Sequence, residues 1–121
     1  MYVTSVEDVQ EFVLDDYYPG ARFVKIKYLL HTGIGAKRMQ YRLFTIGVGG
    51  YTAKEKHEHE HEIFILRGKA LVTGGKEEAV CGPEDVIFIP SNETHQIKNV
   101  GDESVQFLCT KETNEIPELL R

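Results

Sequence analysis

The apolar positions change rhythm once along the chain. Near the start, Val6, Val9, Phe12 and Val13 recur at helical spacing, with Ser5 ahead of them as an N-cap candidate and Asp8 in the first turn. Tyr18-Pro19-Gly20 punctuates that segment, so a short N-terminal helix is expected within residues 1–20. Beyond Gly20 the pattern becomes short β-rich runs separated by turn residues. RFVKIKYLL, KRMQYRLFTIGV, EIFILRG, KALVT, KEEAV, DVIFIP, HQIKN and VQFLCT read as strands. HTGIG, Gly49-Gly50, Gly74-Gly75 and VGDES read as the breaks, the third as a tight hairpin turn. Many short strands without βαβ alternation predict an all-β, antiparallel sandwich or barrel over residues 21–112, followed by a short tail, 113–121. IFIL and VIFIP are apolar at successive positions. Both faces of those strands should therefore be covered, one by the barrel interior and the other by a second sheet or a partner subunit.

At 121 residues the chain fits one domain able to bury a core without disulfides. Lys and Arg total 14 against 19 Asp and Glu, a net charge of −5. With no basic cluster to meet phosphates, a nucleic-acid partner is not expected. No apolar run is long enough to cross a bilayer as a helix, and the first residues, MYVTSVEDVQ, are unlike a signal sequence, so neither a membrane partner nor secretion is expected. The expectation is a cytoplasmic protein in which Cys81 and Cys109, with no CxxC spacing, are free and buried.

The candidate chemistry lies in KEKHEHEHEIFILRG, Lys54 to Gly68. In an extended strand His57, His59 and His61 share one face and Glu58, Glu60 and Glu62 the other. Such a run alone is equally a solvated edge strand. The second motif, PSNETHQIKN, changes the balance, because it places His95 just beyond the strand-ending Pro90. Strands distant in sequence must each supply donors to an ion, since one strand cannot surround it.

HEHEHEIFILRG followed by PSNETHQIKN resembles the two motifs of the cupins. YRLFTIGVGG, HEIFILRGK and VQFLCT are similar to the small single-domain, histidine-rich members, over roughly Phe23 to Thr110. The resemblance implies a jelly-roll barrel, a homodimer and one divalent transition metal ion (Fe, Mn, Ni or Zn). It also implies ligands in an HxHxxxH arrangement plus the second-motif histidine. Aligned without gaps this gives Glu55, His57, His61 and His95, with a glutamate in the first position. The alternative pairs His57 with His59 and needs a two-residue deletion in the turn. If all three histidines lay on one straight strand, His57 and His61 would sit about 13 Å apart, too far for one ion. The ungapped register is preferred, with His59 as alternative ligand near the pocket mouth.

Among other residues, Arg42 is a candidate anchor for a carboxylate substrate if its side of the strand faces inward. Alternation leaves open whether Arg42, Phe44 and Ile46 or Tyr41, Leu43 and Thr45 do so. Cys109, alternating with Val105 and Phe107, is a candidate pocket thiol as well as a plain buried residue. Cys81 reads as structural, His31 as solvent-facing and Asn99 as a turn-former. Fold does not name the reaction. The functional expectation is a metal-dependent oxygenase or isomerase acting on a small organic molecule. The alternative is a non-catalytic small-ligand binding or sensing module with a structural metal.

Overall fold

The computed structural model describes residues 1–121. Nine strands follow in order: β1 (Glu11–Val13), β2 (Arg22–Leu30), β3 (Met39–Tyr51), β4 (His61–Arg67), β5 (Ala70–Gly74), β6 (Glu77–Cys81), β7 (Val86–Ile89), β8 (His95–Asn99) and β9 (Val105–Glu112). They form one curled antiparallel sheet with neighbour order β6-β5-β8-β3-β9-β4-β7, and β2 joins β3 while β1 joins β2. This is the all-β, antiparallel jelly-roll architecture expected from the short-strand pattern.

The N-terminus departs from the expected continuous helix. Its helical content is a 3-10 turn at Val6–Asp8 and another at Leu14–Asp16, with β1 between them. Ser5 Oγ donates to the Asp8 carboxylate rather than to a helix backbone N–H. The three valines explain the difference: β-branched side chains favour extended backbone, and Val6 and Val13 remain exposed, so the stripe has nothing to pack on. Phe12 instead pairs opposite Ile26 on the edge of β2, its ring 6.0 Å from that of Tyr28.

Gly49-Gly50 bends β3 without ending it. Before the bend β3 pairs with β9, from Met39↔Glu112 to Ile46↔Val105; after it, Tyr51 pairs with Lys98 of β8. Gly49 has a φ of +77°, and a Cβ on Gly50 would lie 2.5 Å from the Arg22 carbonyl oxygen. Only glycine tolerates that approach. The 5–6 hairpin turn is Gly75-Lys76, one residue later than expected, with Gly75 at a φ of +58°.

Register decides which side chains face inward. Arg42 pairs with Cys109, Cys109 with Ile63, and Ile63 with Ile87, so these share the inner face. Val24, Ile26, Ile46, Ile65, Ile97, Val105 and Phe107 fill the core. The tail packs back onto the barrel: Pro117 is fully buried and Leu119 meets the core.

Gly68 gives the sharpest stability test. It has a φ of +87°, and a Cβ there would sit 2.6 Å from the Ser104 carbonyl oxygen and 2.7 Å from Val105 Cα. Gly68→Ala should cost about 3 kcal/mol, because left-handed strain adds to a forced shift of β9. Gly49→Ala, with open space around it, should cost only about 1 kcal/mol. Denaturant unfolding of both variants checks this; equal costs would remove the close-approach argument.

Candidate metal centre

Two segments meet at one end of the barrel. Glu55 and His95 exchange backbone hydrogen bonds, at 3.0 and 2.9 Å, in an isolated antiparallel bridge. The His57 carbonyl accepts from Asn92 N–H at 2.7 Å, which clamps the two motifs together. Asn92 adopts a φ of +62°, a conformation asparagine tolerates better than most residues. The chain turns after His57, and β4 starts at His61. That turn removes the spacing problem of a straight strand: His57 and His61 Nε2 lie 2.9 Å apart.

Each of three rings is held by its far nitrogen. His57 Nδ1 lies 3.0 Å from the His59 carbonyl and His95 Nδ1 lies 2.9 Å from the Glu93 carbonyl, so both carry a donated proton and leave Nε2 free. His61 Nδ1 lies 3.0 Å from Cys109 Sγ. With Nε2 given to an ion, Nδ1–H donates to that sulfur, which also accepts from Arg42 Nη2 at 3.1 Å. Nδ1-anchored imidazoles are the arrangement that orients metal ligands, so these residues fit one divalent ion.

The donor atoms fall into two overlapping groups, Glu55, His57 and His95, and His57, His59 and His61, each within 4.8 Å. Glu55 Oε2 lies 3.6 Å from His57 Nε2, with its side chain 43% exposed. His59 is half-buried, lines the cavity and stacks on His57 with ring centroids 3.6 Å apart. His57 is common to both groups, so Glu55 and His95 lie on one side of it and His59 and His61 on the other.

A cavity of about 260 Å³ opens on this cluster. Arg42 lines it, as do Cys109 and the stacked pair Phe44 and Phe107, centroids 5.0 Å apart. The Arg42 face of β3 is therefore the inner one. Burial pushes the Cys109 thiol up, against the pull of the Arg42 guanidinium. Cys81 is free and buried. His31 lies outside the cavity, its Nδ1 accepting from Gly33 N–H at 3.0 Å. Asn99 is buried; its Nδ2 donates to the Ile46 and Glu103 carbonyls and its Oδ1 accepts from Gly101 N–H, fixing the 8–9 turn. Sequence reasoning missed Gln40, Lys111 and Arg121, which also line the cavity. Lys111 continues the inward alternation Val105, Phe107, Cys109, and that was its available signal.

Burial first, and then neighbouring charges, lower the pKa of His57, take His59 down to about 3 and take His61 down to about 2. They stay neutral, as metal ligands must. The unfolded chain takes up protons below about 6.5, while these folded rings do not, so the unfolded state binds more protons. Stability of the metal-free protein should therefore fall as pH drops from about 6.5 towards 5, before carboxylates titrate. Thermal unfolding across that range tests it; His59→Asn should flatten the slope, and an unchanged midpoint in wild type would contradict the buried-neutral description.

The comparisons with known proteins agree with this geometry. Residues 42–111 match the Cupin domain family. Over 70 residues the chain is 34% identical to 1-methylthio-D-xylulose 5-phosphate methylsulfurylase of Rhodospirillum rubrum, a match covering 58% of this chain and 45% of that protein. The chain thus spans under half the length of that relative. An uncharacterised protein of Methanocaldococcus jannaschii is 34% identical over 87 residues, 69% of each chain. Among solved structures, the polyketide cyclase RemF from Streptomyces resistomycificus superposes with a TM-score of 0.87 at 28% identity, covering 97% of this chain and 82% of that one. A cupin-2 domain protein of Rhodospirillum rubrum gives a TM-score of 0.81 at 26% identity, covering 97% and 78%. The chain belongs to the cupin domain family.

Proposed function

We propose that this protein is a metal-dependent enzyme of the oxygenase or isomerase type, acting on a small organic molecule inside the barrel. The observation that carries the reading is the set of Nδ1-anchored histidines, His57, His61 and His95, on the wall of a cavity large enough for such a molecule. In this reading Glu55, His57, His61 and His95 hold one Fe, Mn, Ni or Zn ion, with His59 as the alternative donor. When bound, the ion supplies Lewis acidity and open coordination positions. The chain's residues do the rest. Glu93, the His59 carbonyl and Cys109 orient the imidazoles, and Phe44, Phe107 and Ile63 exclude water around the substrate. The likeness to a polyketide cyclase and to a methylsulfurylase supports an enzymatic role.

A second reading, a non-catalytic ligand-holding barrel, has one observation behind it. His59 shares a donor group with His57 and His61, and each further protein donor given to an ion leaves it fewer open positions.

The two separate by experiment. Protein purified without a tag should carry about one equivalent of a transition metal by elemental analysis. His61→Ala and His95→Ala should each strip it, and Glu55→Ala should weaken it while His59→Ala leaves it in place. Loss through His59→Ala but not Glu55→Ala would reverse the register. Dioxygen uptake, or solvent deuterium incorporation into an added substrate, supports the enzyme; a loaded site inert in both supports the holder.

The outer face of β4 and β7 supports a homodimer. Phe64, Leu66, Val86 and Phe88 are 40%, 41%, 75% and 58% exposed, and β7 is the edge of the sheet. A two-fold contact between copies covers such an apolar edge. Sedimentation should give a dimer for wild type and a monomer for Phe88→Asp; a monomeric wild type refutes this assembly.

A further inference from the structure

We infer that the occupant of the cavity is an organic carboxylate, its anionic head held between Arg42 and Lys111 and its apolar body against Phe44 and Phe107. This deepens the proposed function and rests on it only for the metal.

Arg42 is a buried cation without a counter-ion. It is 8% exposed, and no carboxylate lies within ion-pair distance of its guanidinium. Its Nη2 contacts are to His61 Nδ1 at 3.3 Å and Cys109 Sγ at 3.1 Å, both uncharged groups in their ordinary neutral forms. Its Nε–H has no hydrogen-bond partner and is the sole side-chain polar atom so orphaned. A buried guanidinium with a donor unmet is costly, and a carboxylate is the group that its planar fork matches best.

Lys111 stands next to it on the inner face. Cys109 is the direct partner of Arg42 across the β3–β9 ladder, and Lys111 lies two positions further along β9, opposite Gln40. Its side chain is 20% exposed. Burial lowers its pKa and the Arg42 charge lowers it further, with Glu115 and Glu55 pulling the other way, so Arg42 is the strongest charged influence on it. The nearest carboxylate oxygen, Glu118 Oε1 on the tail, is 3.9 Å away on a side chain 46% exposed. That is a loose contact, and it yields to a better-placed anion. Arg121 is already committed to Glu115 at 2.8 Å, so Arg42 and Lys111 are the pair left for a ligand. An incoming carboxylate would relieve the orphaned Nε–H and the influence of the Arg42 charge on Lys111 together. Its ring or chain would occupy the apolar part of a cavity that the stacked phenylalanines flank.

Calorimetric titration with benzoate and its neutral isostere benzamide tests this, using the zinc-loaded and metal-free full-length protein. Benzoate should bind about tenfold tighter than benzamide in both forms, the size expected of a charge-assisted contact. Lys111→Met, which keeps the apolar stem and leaves Arg42 in place, should cut that preference about threefold while benzamide affinity and the far-ultraviolet dichroism stay as in wild type. Glu118→Gln, which removes the loose resident carboxylate, should tighten benzoate. Equal affinity for the two probes, no binding of benzoate, or a Lys111→Met variant whose preference is as large as that of wild type would each overturn the inference. Failure of the protein to retain zinc would count against the metal reading alone, because the metal-free titration still decides the carboxylate site.

Discussion

Two backbone hydrogen bonds, between Glu55 and His95, hold the rest of the site in place. They make neighbours of segments far apart in sequence, and every donor of the cluster is then within a turn of that bridge. Asn92 N–H on the His57 carbonyl adds a second clamp. Neither bond depends on side-chain identity, so the frame for the donors is set by strand pairing. The imidazoles are then aimed individually through Nδ1. Precision comes from this two-level arrangement, backbone first and ring orientation second.

Electrostatics separates the cavity into two zones. Burial and nearby cations, Arg42 among them, hold the rings of His59 and His61 uncharged. The neighbouring wall carries those cations themselves. Neutral nitrogen donors suit a metal, while cations suit an anion, so a ligand of the proposed kind would meet two different handles on one inner sheet face. β9 connects the zones, since Cys109 touches His61 and Arg42 at once and Lys111 follows two residues later.

Much of the barrel was legible because strand periodicity and turn residues are local signals. Arg22–Leu30 and His95–Asn99 coincide with the runs read from the pattern. What was misread depended on tertiary context. The valine stripe near the N-terminus imitates a helix, but the edge of β2 offers Phe12 a better partner than solvent offers the valines. Gly49-Gly50 reads as a break, although the glycines serve a close approach inside one strand. The inward side of β3 was undecidable because its other face is apolar too, with Leu43 even more buried than Arg42. At the site, the spacing of His57, His61 and His95 was informative, whereas the stacking of His59 on His57 follows from a turn geometry that alternation does not encode. Lys111 was hidden by reading the last strand as ending at Thr110.

The bent strand β3 has a kinetic consequence. Its 13 residues pair with β9 before the glycine bend, with β8 after it and with β2 on both sides, so the same backbone belongs to both halves of the barrel. The halves cannot part like a clamshell without breaking that strand's ladder. Traffic in and out of the interior is therefore confined to the non-strand segments that border the cavity, within 14–21, 52–59 and 113–121. Of these, 52–59 carries donors and is tied down by the bridge to His95. A molecule held in the barrel would therefore pass the segments within 14–21 and 113–121, which lie far in sequence from the chemistry they enclose.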